Sequence, residues 1–196
     1  MTIGVLALQG DFREHANMTS ALGVDVRLIR LPEDLTGVDG LIVPGGESTT
    51  MGKLMQSFGL DQAITERFNS GTLAIYGTCA GMILLASEIQ DRSEQPRLGF
   101  LDVTVRRNAF GRQKESSEED LAIEGLDSPF HAIFIRAPVI IRTGPQVKVL
   151  AAVSEGPVCV QQGRILASSF HPELGTDTRI HEHFLRLAEQ SHNQEV

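Results

Sequence analysis

Short, uninterrupted apolar runs alternate with stretches of helical periodicity through the first half of the chain. Residues 3–8 are continuously apolar, the pattern of a strand buried on both faces. Residues 24–29, 40–43 and 73–76 read the same way. Between them, Asp11 followed three residues later by Glu14 offers a capping box for a helix running to residue 22, with Gly23 as its stop. Helical spacing recurs over 51–58, 61–69 and 80–88. Strands and helices alternating at these lengths predict right-handed βαβ units and a mostly parallel sheet covered on both faces. After residue 87 the texture changes to strands at 101–105, 132–135, 147–152, 158–161 and 165–168. Turn signals at Gly156-Pro157 and Gln162-Gly163 predict a hairpin there. Residues 175–190 close the chain as an amphipathic helix, and the polar segment 111–120, GRQKESSEED, reads as a mobile loop. No repeat or linker divides the chain. The expectation is one α/β domain over residues 1–196, three-layered, with an open, mixed and mostly parallel sheet.

Composition narrows the class without changing that picture. The 196 residues are 41% hydrophobic and 21% charged, ordinary for a globular protein, and the formal charge of −8 argues against nucleic acid as a partner. Cys79 and Cys159 are too few for a disulfide scaffold, and neither belongs to a CxxC pair, so no metal site is expected. The N-terminal MTIGVLALQG has no basic region, and no apolar run approaches the roughly 18 residues of a membrane span. These features predict a cytoplasmic protein that does not engage a membrane.

Chemistry concentrates at Gly77-Thr78-Cys79-Ala80-Gly81, placed between a predicted strand and a predicted helix. That is the setting of a nucleophile elbow, in which a sharp turn lifts the nucleophile out of the sheet. A helix starting at Ala80 would aim its positive end at Cys79 and leave the Ala80 N–H for an oxyanion. GxCxG by itself is equally consistent with a buried cysteine in a glycine-rich turn. Cys159, mid-strand without a glycine shoulder, reads as a core residue.

A thiol nucleophile needs a proton shuttle, and His171 in SSFHPE is the best placed histidine. Pro172 disfavours helix at His171, and in an extended segment Glu173 faces the same way, giving a base with its orienting carboxylate. His15, His181, His183 and His192 lie among charged residues and are expected to be solvated, and His131 shows no partner. Pro44-Gly45-Gly46-Glu47-Ser48 ends the third strand, where open parallel sheets bind ligands, and Gly46 could supply a second oxyanion donor. Neither GxxxxGK[ST] nor GxGxxG after the first strand is present, which counts against a nucleotide-binding domain.

In this order, PGGEST, YGTCAG and SFHPE resemble the class I (triad) glutamine amidotransferases. LALQGDFREH at the start, RNAFGRQ at 107–113 and FIRAP at 134–138 narrow the resemblance to the glutaminase subunits of the two-protein pyridoxal 5′-phosphate synthases. The resemblance implies a flavodoxin-like fold, Cys79 as nucleophile, and His171 and Glu173 as the rest of the triad. It implies glutamine binding by Gly46, Glu47, Ser48, Arg107, Ile135 and Arg136, leaving open whether Arg106 or Arg107 faces the site. It further implies no cofactor, and a separate barrel-shaped, ring-forming synthase subunit that receives the ammonia. The alternatives are a glutaminase subunit of another complex, a freestanding γ-glutamyl or cysteine hydrolase, and a catalytically inactive docking subunit.

Overall fold

The apolar run at the N-terminus forms β1 (Thr2–Leu6), which lies between β2 (Asp25–Ile29) and β3 (Gly40–Val43), all parallel. The structure, a computed structural model, describes residues 1–107 and 116–192. β4 (Ala74–Thr78) pairs with β3 on one side and with β12 (Ile165–Ser168) on the other, again in parallel. β12 continues antiparallel into β11 (Gly156–Gln162) and β10 (Lys148–Val153), giving a seven-stranded sheet in the order β10-β11-β12-β4-β3-β1-β2. The hairpin expected near Gln162-Gly163 is the β11–β12 turn.

Alternation along the central strands sends successive side chains into two cores. Leu6, Leu41, Val43 and Ile75 face α2 (Ser48–Ser57), α3 (Leu60–Asn69) and α4 (Ala80–Leu85). Ile3, Val5, Ile42 and Tyr76 face α1 (Phe12–Ala21), through Phe12 and Ala16, and α5 (Arg179–His192), through Ile180 and Phe184. Helices on both faces of an open mixed sheet are the three layers read from the sequence. Among the described residues no helix is long and apolar enough to cross a membrane.

Two smaller sheets were not legible. β5 (Ala86–Ile89), β6 (Leu101–Arg106) and β9 (Val139–Thr143) form one, and β7 (Ser116–Leu121) with β8 (Phe130–Ile135) the other. The helix expected over 80–88 therefore stops at Leu85. Ala86 takes φ −59°, ψ 141°, and the next residues pair with β6, burying Ala86 and Ile89, so a tertiary partner overrides local helical spacing. Residues 116–120 of the expected loop are strand, because Glu118 and Asp120 sit either side of His131 across the hairpin while Leu121 caps the core. Residues 111–115 of that loop lie outside the described residues. The last helix begins at Arg179, not at 175, with a 3₁₀ turn at Pro172–Leu174 before it. Asp11 occupies the N-cap of α1 but its carboxylate makes no capping bond; it is turned toward His171 instead.

Candidate active site

β4 delivers Cys79 to the carboxyl edge of the sheet, and its two neighbours deliver the rest. Thr78 is paired with Ser168 at the end of β12, and the Cys79 N–H donates to the Ser168 carbonyl at 2.8 Å. The chain leaving β12 therefore sets His171 and Glu173 beside the cysteine. On the other side Val43 pairs with Gly77, so residues 44–47 arrive at the same edge. The segment after β1 contributes Gln9 to Asp11, the Asp11 N–H donating to the Gly45 carbonyl at 3.2 Å.

Cys79 has φ 47°, ψ −102°, a left-handed conformation forced by the turn from β4 directly into α4. Ala80 is the first residue of α4, so its N–H has no carbonyl one turn back to serve it. The Cys79 thiol lies 3.8 Å from the Ile135 carbonyl oxygen. His171 Nδ1 bonds Glu173 Oε1 at 2.7 Å, with all three side chains of this line buried. Burial works against the His171 imidazolium, but hydrogen bonds and charges from Cys79 and Glu173 outweigh it and push the ring's pKa up to about 10. A sulfur beside a protonated imidazole is the arrangement a thiolate nucleophile needs. Burial raises the Glu173 carboxyl, and the bond to His171 pulls it partly back. Asp11 Oδ2 stands 3.5 Å from the same His171 nitrogen, its carboxyl also raised by burial. Asp11, His171 and Glu173 form a cluster with metal-ligand spacing, yet His171 Nδ1 is engaged by Glu173, which suits a proton relay.

Residues expected to hold a ligand gather across the cleft. Glu47 caps α2, accepting from the Thr49 and Thr50 N–H groups at 3.1 and 2.7 Å. Burial is the largest single influence and opposes its ionisation, but those bonds and side-chain bonds from Thr50 and Thr49 together outweigh it and hold its pKa down at about 2. Arg107 points into the site: Nη1 donates to Gln95 Oε1 at 2.9 Å and Nη2 lies 3.2 Å from Glu47 Oε1. Arg106 is exposed at the end of β6. Ser48 is buried and bonded to Gln95 Nε2 at 2.9 Å. Arg136, with φ 46°, follows Ile135 on the rim. Gly46 has φ 147°, and a Cβ there would fall 2.5 Å from Gln9 Oε1, the atom that accepts the Glu47 N–H at 2.7 Å.

Three sequence readings need correction. His15 and His181 are not solvated: both are fully buried, His15 Nδ1 meeting His181 Nε2 at 2.9 Å and His15 Nε2 meeting Thr78 Oγ1 at 3.0 Å. Charged neighbours in sequence face outward from α1 and α5 while these two rings turn onto the sheet, which residue-by-residue polarity cannot reveal. His183 is half-buried against Gln161, and His131 bridges Asp120 and Glu118 instead of standing alone. The side chain of His192 lies outside the described residues. Cys159 is the core residue expected, its thiol raised to about 12 by burial. Gln95 lies in no motif, and Gln9, though inside LALQGDFREH, was assigned no role; only the fold brings both under the cleft.

The buried pair of histidines carries a prediction for stability. Burial, with repulsion from neighbouring imidazoles for His15, lowers His15 well below 6.5 and lowers His181 to about 4. Above pH 6.5 both are neutral folded or unfolded and cost nothing. Between 6.5 and about 4 the unfolded chain binds protons that the native one refuses, so stability falls as pH falls. His171, held near 10, stays charged in the fold while its unfolded ring takes up a proton near 6.5, which offsets part of this fall. Each buried histidine adds up to about 1.4 kcal/mol per pH unit. Urea unfolding at pH 7 and pH 5 should show a drop on the order of 2 kcal/mol, and equal stabilities would contradict it.

An α/β fold with a cysteine at a strand-to-helix turn, faced by a His-Glu pair from the adjacent strand, defines an amidotransferase-type architecture. In agreement, a solved structure described as a glutamine amidotransferase superposes with TM-score 0.92 at 56% identity, covering 95% of this chain and 98% of that one. PurLQS from Thermotoga maritima shares the fold at TM-score 0.66 and 15% identity, covering 97% of this chain and 95% of that one. Residues 5–190 match the SNO glutamine amidotransferase family, and the chain belongs to that family. Similar relatives include the pyridoxal 5′-phosphate synthase subunit PdxT of Thermus thermophilus, 59% identical, covering 95% of this chain and 97% of the relative. The same-named subunit of Deinococcus radiodurans is 55% identical, covering 96% and 97%.

Proposed function

We propose that this chain hydrolyses L-glutamine to L-glutamate and ammonia and delivers the ammonia to a separate synthase subunit that builds pyridoxal 5′-phosphate. The observation that carries the reading is the buried line from Cys79 through His171 to Glu173 at the carboxyl edge of the sheet. Cys79 attacks the side-chain amide carbon of glutamine, and the Gly46 and Ala80 N–H groups receive the oxyanion. His171 gives its proton to the departing nitrogen, leaving ammonia and a γ-glutamyl thioester. The now neutral His171 takes a proton from water as it attacks the thioester, releasing glutamate and restoring the starting pair. Glu173 keeps the ring oriented and supports its charge.

Glutamine is held by Gly46, Glu47 and Ser48, by Arg107, and by Ile135 and Arg136. The ligand's α-carboxylate suits a guanidinium and its α-ammonium suits the Glu47 carboxylate, which is anionic at any physiological pH. No metal or cofactor enters a step. Residues 1–196 are read as one amidotransferase domain in the cytoplasm, and the acceptor chemistry is assigned to a barrel-shaped, ring-forming partner, a reading supported by the similarity to pyridoxal 5′-phosphate synthase subunits. Partner binding completes the oxyanion site, which protects glutamine from idle hydrolysis.

The test is glutamate release from glutamine with and without the pyridoxal 5′-phosphate synthase subunit, together with labelling by an electrophilic glutamine analogue. Expected are stimulation by the synthase and modification at Cys79. Full activity alone, unchanged by the synthase, would point to a freestanding hydrolase, and absence of labelling to a docking subunit. Gln95→Ala should raise KM for glutamine roughly tenfold with little change in kcat, because it unties both Arg107 and Ser48. An unchanged KM would remove Gln95 from the binding site.

A further inference from the structure

Glu173 offers His171 only one of its carboxylate oxygens. The other, Oε2, is buried and makes no hydrogen bond of ordinary geometry among the described residues. His15 Nε2 lies 3.3 Å from it, and both side chains are wholly excluded from solvent. The same ring nitrogen is 3.0 Å from Thr78 Oγ1, in the residue immediately before the nucleophile. On the far side of the ring, His15 Nδ1 is 2.9 Å from His181 Nε2, and His181 Nδ1 has no partner among the described residues.

These distances select the tautomers. A bare Nε2 on His15 would set its lone pair against the Glu173 carboxylate, whereas an N–H there is attracted to both Glu173 and Thr78. With Nε2 protonated, Nδ1 is the acceptor, and His181 must donate from its own Nε2. His181 Nδ1 is then a bare lone pair, a cheaper buried orphan than an N–H. Every proton in the row is thereby placed by its neighbour.

Resting on the active-site reading above, we propose that neutral His15 is a positioning residue for the glutaminase reaction. It presents Nε2–H to the second oxygen of Glu173, fixes the carboxylate's rotation so that Oε1 meets His171, and is itself held in that tautomer by His181. It touches neither substrate nor sulfur and acts through Glu173. The chain thus carries a relay two histidines deeper than the triad, running from α5 through α1 to the elbow.

The groups facing His15 are His181 from α5, Thr78 and the Tyr76 ring edge from β4, and Glu173 with His171 from the segment after β12. Removing its N–H takes away the positive ring edge poised 3.3 Å from Glu173 Oε2, so the carboxylate takes up a proton more readily. The acid limb of the kcat/KM profile should then move to higher pH.

The experiment compares His15→Leu and His15→Gln, assayed for glutamate release in complex with the synthase subunit, with Cys79→Ala as reference. Leucine should lower kcat about 30-fold, part of the 10²–10⁴ that positioned acid–base groups supply, with KM within about twofold and the acid limb shifted upward. Glutamine, whose amide N–H reaches the place of Nε2, should restore kcat to within about threefold. Wild-type kcat and pH profile in His15→Leu, or glutamine no better than leucine, would overturn the proposal. A folding defect in either variant leaves ring-nitrogen NMR of the wild-type chain to decide. A neutral Nε2–H ring at pH 7 whose shifts respond to Glu173→Gln is expected, and an Nδ1–H or charged ring refutes it. An active Cys79→Ala would instead defeat the active-site reading, with the NMR still judging His15.

Discussion

Cys79→Gly should be inactive yet more stable than Cys79→Ala. Both substitutions remove the nucleophile, and losing a covalent nucleophile costs a factor on the order of 10⁴ or more in turnover. They differ in what the backbone feels. At φ 47°, ψ −102° any residue with a Cβ is strained by about 1–3 kcal/mol, whereas glycine is not. The conformation is held from both sides. The Cys79 N–H is tied to the Ser168 carbonyl and the Cys79 carbonyl accepts from Ile83 in α4, so the residue cannot relax by moving one end. Glycine's greater freedom when unfolded offsets part of the relief. The net expectation is a gain of about 1 kcal/mol over alanine, or roughly 3 °C in melting temperature for a chain of this size. Thermal unfolding of the two variants checks it. Alanine melting at or above glycine would mean that the elbow stores no strain.

Gly81→Ala should cost about 3 kcal/mol and roughly 10 °C in melting temperature, one of the largest stability losses available to a single methyl group here. A Cβ on Gly81 would press into the carbonyl oxygen and carbon of Val43, backbone atoms of a central strand with no rotamer to yield. The only relief is to lift α4 off β3, which would also displace Cys79 and the Ala80 N–H at the start of that helix. Activity should therefore fall with stability. Gly59→Ala is the control. Gly59 has φ 69° but open space around its Cβ position, so its penalty is conformational strain of about 1 kcal/mol. Equal losses at the two positions would show that close approach is not what the second glycine of the elbow is for.

Among the site residues, how well the sequence could be read followed how local the interaction was. His171 and Glu173 are two apart and their pairing was legible. The stretch is a 3₁₀ turn at Pro172–Leu174 and not the extended segment expected, so a tight turn and not strand alternation closes their 2.7 Å bond. Glu47 beside Thr49 and Thr50 is a helix start, equally local. Gln95, by contrast, reaches Ser48 across 47 positions and Arg107 across 12 from a segment without regular spacing. His15 meets His181 across 166 positions, and each looked solvated because its sequence neighbours are charged.

By itself, the sequence determined what short-range sterics and periodicity enforce: buried parallel strands, their helices, a cysteine at a glycine-flanked turn and a His-Glu pair past a strand end. Those signals survive because φ/ψ preferences and side-chain alternation act within a few residues. Only the tertiary structure decided that β12 enters beside β4, that Ala86–Ile89 leaves its helix to pair with β6, and that two histidines meet nitrogen to nitrogen under the elbow. Those outcomes depend on which distant surfaces exclude water from one another, and burial of that kind has no period along the chain.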